Sequence, residues 1–429
     1  MCSEERGGRQ AKKRRGEARM GAEPLLPKKT HTHTQPNSPL ILGLQPSALI
    51  DHVAKIDSSL LAQIPGERGG SIAVRTPSLL PVAIEDLEHI LNEVKTHILS
   101  SPPDPSPMRT MAGGSVANTI RGLSAGFGVN CGILGACGDD EQGGLFVSNM
   151  GSSGVNLSAL RIKKGPTAQC VCLVDALGNR TMRPCLSSAV KIQAEELTKE
   201  DFKGVKWLVM RYGIYNLEVI HAAIRMAKQE GVFVSLDLAS FEYPTHALEQ
   251  TCSELLGKEL SLLTIAFFYL GQMVRNFRGP LLELLQSGDI DLCFANEDEA
   301  RELLRDDENA SPEAARPEAA LEFLAKHCQW AVVTLGSNGC LAKCGREMVR
   351  VAAIGEAKAT DATGAGDLFA GGFLYGLVKG LSLEECCRVG TCSGGSVIRS
   401  LGGEVTPENW QWMYKQMQIK GLPVPGLRQ

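Results

Sequence analysis

The stretch "DATGAGDLFAGGF", residues 361–373, decides how this chain is read. Two aspartates six positions apart frame a run of small residues, and "LFAGGFLYGLVKG" behind them has helical periodicity. Gly364, Ala365 and Gly366 are therefore expected at a helix N-terminus, where unpaired amides and the helix dipole favour an anion. Small side chains let a phosphate reach those amides. Neither common phosphate-binding form is present, since no third glycine follows in G-x-G-x-x-G spacing and no Gly-Lys-Ser/Thr occurs. Asp367 would sit beside this positive end, which predicts a depressed pKa and an oxygen aimed at the approaching phosphate. A carboxylate in that place suits the base of a phosphotransferase. It suits a helix cap equally well, and the residues alone leave both readings open.

Around this stretch, apolar runs alternate with amphipathic ones. Strands are expected at "PLILGLQ", "VNCGILGACG", "AQCVCLVDA", "VKWLVMR", "VFVSLDL", "IDLCFAN" and "WAVVTLG". Helices are expected at "DEQGGLFVSNMGSSG", "NLEVIHAAIRMAKQEG", "NEDEARELLRD" and "PEAALEFLAKHC". Such alternation predicts an α/β fold with a mostly parallel sheet covered on both faces. "VDALGNRTMR" differs: two short extended runs flank a Gly-Asn turn, the signal of a small antiparallel hairpin projecting from the main sheet.

The composition of the 429 residues bounds the function. Net charge is −4 and pI about 6.1, so no basic field argues for nucleic acid. Fourteen cysteines are scattered without zinc-finger spacing, which reads as thiols in a reducing compartment. Residues 1–39 form a polar tail whose "KKRR" at 12–15 reads as a solvated charge run or a nuclear import patch, with a cytoplasmic placement expected otherwise. Residues 40–420 are expected to form one domain, with 421–429 a short tail. The segment 243–272 interrupts a crossover and reads as an insertion, of the kind a retained intron leaves. Its apolar run, "LSLLTIAFFYLG" at 260–271, is too short to span a membrane.

Two further segments carry chemistry. "MAGGSVANTIRGLSAGFG", 111–128, pairs the glycine turn Gly113–Gly114 with Asn118, a short arm suited to vicinal hydroxyls. Taken with "GACGDDEQGG" downstream, it and "DATGAGDLFAGGF" resemble, in order, the two signatures of the PfkB (ribokinase-like) family of carbohydrate and nucleoside kinases. The resemblance covers about 40–415. "TAQCVCLVDALGNRTM" and "ANEDEA" bring it nearest the adenosine-kinase-like branch.

This resemblance implies a ribokinase-like α/β fold with a small β lid, formed by elements at about 51–75 and 160–190. It implies ATP- and Mg²⁺-dependent phosphoryl transfer to a hydroxymethyl group of a sugar or nucleoside, by a monomer or homodimer. Asp367 matches the family's base, and Gly364, Ala365 and Gly366 its anion hole. Asn296 and Glu299 match the N-x-x-E motif that organises Mg²⁺ through water, although Asn followed by Glu at the third helical position is also a capping box. Thr334, Gly336 and Gly339 match the nucleotide-binding turn, or form a plain turn between strands. Ser393, in "CSGGSVIRSLGG", lies where relatives pack against adenine. Asp361 and Thr363 match the K⁺ site of some members. Asp51, Gly113, Gly114 and Asn118 match the acceptor site, although Leu44 stands where the family's first strand commonly has asparagine. Two rival functions answer to the same sequence. A PfkB-like scaffold acting through protein partners keeps the fold without the intact motifs. A dinucleotide-dependent oxidoreductase lacks its glycine fingerprint.

Overall fold

A computed structural model describes residues 38–64, 84–100, 107–178, 180–186, 190–213, 216–238, 278–304, 316–354 and 359–426. The expected tail and the insertion at 243–272 lie outside these, apart from 38–39 at the end of the tail. The described residues belong to one unit, Thr34–Gln429.

Strand β1, Ile41–Ser47, is buried along its first four residues and forms the pivot of the architecture. It pairs in parallel with β4, Cys131–Gly138, on one side and with β8, Trp207–Arg211, on the other. Beyond β8 lie β9, Phe233–Asp237, β10, Leu292–Asn296, and β11, Trp330–Thr334, all parallel; beyond β4 lies β5, Leu160–Lys163. An antiparallel pair, β12 at Cys340–Cys344 and β13 at Glu347–Val351, closes the far edge. The order β13-β12-β11-β10-β9-β8-β1-β4-β5 reverses direction at β1, and such a switch point opens a crevice at the carboxyl ends of the strands.

All seven expected strands and four expected helices are present. The helices are Glu141–Ser152, Leu217–Gln229, Glu297–Leu303 and Pro317–His327. The two faces of the sheet carry separate cores. One holds Ile41, Ile133, Phe294 and Phe373, the other Leu42, Leu134, Leu236 and Val333, as alternation along fully buried parallel strands requires.

A second, four-stranded sheet draws strands from both segments expected for the lid, about 51–75 and 160–190, and adds β3 from between them. At Ala48, after Gln45-Pro46-Ser47, the chain leaves β1 and enters β2, Leu49–Lys55. β2 pairs antiparallel with β3, Arg109–Gly113, and parallel with β6, Ala168–Val174, which in turn forms the expected antiparallel hairpin with β7, Arg180–Cys185. The sheet is mixed because β2 and β6 are far apart in the chain and meet only in three dimensions. One face packs on the amphipathic helix Ile84–Ser100 through Ala54, Val171, Leu87 and Ile90. Its hairpin turn reaches the loop of the opening motif: Ala362 N donates to Gly178 O, and Arg180 donates a guanidinium N–H to Ala362 O at 3.0 Å.

Candidate active site

The helix Ala365–Lys379 begins where the small residues predict. Gly364 is its N-cap with φ 78°, a left-handed conformation that favours glycine, and its α-carbon side faces Gly403 closely. An ordinary helix leaves its first amides without intrahelical partners. A Cβ on Gly366 would meet nothing within 4 Å, so the space over this turn is open. Asp367 stands in the first turn, and its side chain turns away from capping: Oδ2 accepts from Asn118 Nδ2 at 2.8 Å.

Asn118 comes from the helix Ser115–Phe127, which is buried almost all round. Its other amide end is taken as well, since Arg121 donates to Asn118 Oδ1 at 2.9 Å. Both ends of this amide thus hold protein groups, where the sequence reading had assigned it to acceptor hydroxyls. Arg121 is 3% exposed and has several partners, donating also to Ala112 O, Asn149 Oδ1 and Gly403 O. Such a network fixes its members because a buried guanidinium cannot leave donors unpaired.

The expected depression of the Asp367 pKa is corrected. Burial raises it, and the opposing pulls of Arg211, the Asn118 hydrogen bond, Arg180 and the Ser115 hydroxyl do not offset that cost. Sequence showed the helix dipole but not the burial, which comes from segments hundreds of residues away. Asp51, on β2, is 2% exposed, and burial pushes its pKa from an ordinary 3.8 up to about 7, with Arg121 pulling down and Asp367 and Asp361 pushing up. A Cβ on Gly113 would lie 2.2 Å from Asp51 Cγ, so only glycine leaves room for this carboxylate. Gly114, N-cap of the Asn118 helix with φ 91°, packs on the Gln45 amide, which donates to Gly113 O and accepts from Ala117 N.

The remaining candidates are placed as follows. Asn296 ends β10 in register with Thr334 at the end of β11, so both sit on the carboxyl edge. Asn296 and Glu299 form a full capping box: Glu299 Oε2 accepts from Asn296 N and Asn296 Oδ1 from Glu299 N, each at 2.8 Å. Asn296 Nδ2 also donates to Glu299 Oε1 at 2.8 Å. Thr334 Oγ1 reaches Ala295 O at 3.4 Å, and Gly336 and Gly339 shape a short antiparallel turn from β11 to β12. Asp361 is fully buried; its Oδ1 accepts from Thr363 N and Oγ1 and its Oδ2 from Gly402 N. Its carboxylate ties two loops together. Ser393, on the helix Leu383–Val397, is fully buried against Gly372 of the Asp367 helix. The structure therefore gathers Asp367, Asn118, Asp51, Asp361 and the 113–114 turn, with Ser393 packed against the Asp367 helix.

Sequence reading passed over the arginines. Arg211 ends β8, donates to Ser115 Oγ and exerts the largest charge effect on Asp367. A cation closing an otherwise apolar parallel strand, at the end where α/β sheets bind ligands, was the available signal. Arg121 was legible as a charge three residues after Asn118 on an otherwise apolar helix face.

Comparison with known proteins settles the relationship. The profile described as "pfkB family carbohydrate kinase" matches residues 88–264 and 252–409. The chain belongs to this family. It is a phosphotransferase with an alcohol acceptor. An uncharacterized sugar kinase of Archaeoglobus fulgidus is 25% identical over 286 residues, spanning 66% of this chain and 96% of its own. Among solved structures, the adenosine kinase from Sinorhizobium meliloti superposes with a TM-score of 0.67 at 25% identity, covering 87% of this chain and 98% of its own. Ribokinase from Thermotoga maritima, at a TM-score of 0.58 and 18% identity over 88% of this chain and 99% of its own, shares the ribokinase-like fold. Among the described residues no helix is long and apolar enough to cross a membrane.

Proposed function

We propose that this pfkB-family protein transfers the γ-phosphate of ATP to a hydroxymethyl group of a sugar or nucleoside, with Asp367 as the general base. The observation that carries this reading is the half-buried Asp367 carboxylate, held by Asn118 in the first turn of a glycine-capped helix. ATP would supply the phosphoryl group, and Mg²⁺ would neutralise the charge that develops on it.

The residues present fit these groups. The Gly364–Gly366 turn is open over Gly366 and presents a helix N-terminus to an anion, with the Ala365 amide already donating to Ala362 O, and the Arg211 and Arg180 charges act on Asp367 in the same helix turn. Asp367 takes the acceptor hydroxyl proton onto its carboxylate; burial makes that carboxylate a stronger base than an exposed one. Asp51, with Gly113 and Gly114, receives the acceptor hydroxyls. Asn296 and Glu299 would hold Mg²⁺ through water, while Thr334, Gly336 and Gly339 would line the nucleotide. Asp361 and Thr363 shape the loop for K⁺. The four-stranded sheet covers the acceptor as a lid, within one kinase domain at about 40–420.

A thermal-shift screen of sugars and nucleosides, each with a non-hydrolysable ATP analogue, tests this. An acceptor should raise the melting midpoint beyond the analogue alone and turn over with ATP and Mg²⁺. Failure of every sugar and nucleoside would sink the acceptor class.

A further inference from the structure

One face of the four-stranded sheet is rich in sulfur. Asp51 lies opposite Met111 on β3 and opposite Cys170 on β6, and Cys172 lies opposite Met182 on β7. Residues two apart on a strand share a face, so Asp51, Met111, Cys170, Cys172 and Met182 line the same side. Met111, Cys170 and Cys172 pack there as one buried cluster with Met182 against it.

Into this soft surface the chain puts a carboxylate. Asp51 Oδ1 is buried and has no hydrogen-bond partner, an expensive state for an acid oxygen. Cys170 Sγ and Cys172 Sγ stand 3.8 Å apart, and ligand atoms of Asp51, Cys170 and Cys172 all lie within 4.8 Å of one another. Two thiolates bound at about 2.3 Å to a tetrahedral ion must stand about 3.8 Å apart. The free thiols already hold that spacing.

Charge supports the same conclusion. Two thiolates and a carboxylate carry three negative charges; a divalent ion cancels two, and the buried Arg121 guanidinium, shared with Glu404 and Asp367, lies close enough to act on Asp51. Sulfur ligands select against Mg²⁺ and Ca²⁺, which take oxygen. We propose that Asp51, Cys170 and Cys172 form a three-ligand site for a thiophilic divalent cation of the zinc class, leaving its fourth position open. Binding releases the two thiol protons to solvent, together with any proton on Asp51, so affinity rises with pH. Where Asp51 also receives acceptor hydroxyls, which rests on the function proposed above, the cation and the acceptor exclude each other.

The test uses the full chain, reduced with a phosphine and stripped of metal, titrated with Cd²⁺ and followed by the thiolate-to-metal charge-transfer band. Zn²⁺ is then read by competition. One tight equivalent is expected, weakened more than about tenfold in Cys170→Ser, Cys172→Ser and Asp51→Asn and unchanged in Cys344→Ser. Thermal midpoints of the metal-free variants establish that each is folded. No tight equivalent in the wild type, or one untouched by both cysteine substitutions, overturns the site; an unchanged affinity in folded Asp51→Asn overturns the three-ligand set. In the kinase assay Zn²⁺ should compete with the acceptor and not with ATP. Tight binding without such competition upholds the site and sinks the acceptor role of Asp51.

Discussion

Asn118 Nδ2 donates to Asp367 Oδ2 at 2.8 Å across 249 residues of sequence, and the same asparagine accepts from Arg121. The pair joins the two motifs into one device: a carboxylate on one helix, oriented by an amide that a buried guanidinium holds in place. The first prediction concerns the carboxylate. Asp367→Asn keeps the shape and removes the base, so turnover should fall ~10²–10⁴-fold while nucleotide binding survives. Steady-state kinetics and ATP-analogue titration check both halves; wild-type turnover on the best acceptor would remove Asp367 from the mechanism.

Asn118→Ala should act differently. The hydrogen bond from Asn118 lowers the Asp367 pKa against the burial that raises it, alongside Arg211, Arg180 and Ser115. Losing that bond moves the Asp367 pKa further up. The acidic limb of the kcat profile should therefore shift to higher pH, with a loss of up to about 10²-fold in kcat from misplacement. An unshifted limb would show that Asn118 does not tune Asp367.

Much of this was readable in advance, for a local reason. The Gly364 turn and the helix after it are set by residues within a few positions of one another, and the parallel strands by continuous apolar runs. What sequence could not give was the environment built by distant segments. Asp367 was expected to have a depressed pKa because the dipole is local and its burial is not. The pairing of β2 with β3 and β6 was not legible, because these partners lie far along the chain. The bonds of Asn118 to Arg121 and Asp367 were not legible, because the second partner lies 249 residues away.

Glu299 separates two roles that share one geometry. Both its carboxylate oxygens are engaged by Asn296, so it caps the Glu297–Leu303 helix whether or not it also organises Mg²⁺. Glu299→Gln keeps an acceptor for the cap and removes the charge. The Mg²⁺ concentration for half-maximal activity should rise severalfold, with the thermal midpoint nearly unchanged. Unchanged metal dependence at full activity leaves the cap as its only role. Asn296→Ala, which removes the N-cap oxygen that accepts from Glu299 N, should cost about 0.5–2 kcal/mol of stability.

Asp51 yields a pH dependence of stability whose sign is fixed by burial. Its folded pKa is about 7 against an ordinary 3.8, so the folded chain holds this proton over a range in which the unfolded chain has lost it. Stability falls wherever the folded state binds more protons and pH rises. The contribution of Asp51 is thus fully present below about 3.8, declines between 3.8 and about 7, and is lost above that. A shift of this size corresponds to up to about 4 kcal/mol, from roughly 1.4 kcal/mol per pH unit. Asp367 is shifted in the same direction, so the Asp51 part is isolated by difference. Asp51→Asn is nearly isosteric and does not titrate. Denaturant midpoints measured at closely spaced pH from 4 to 8 should show wild type losing stability relative to Asp51→Asn as pH rises through this window, then running parallel. A difference that stays constant, or that favours wild type at high pH, would mean that Asp51 is ionised in the folded protein and held by a charge partner rather than raised by burial.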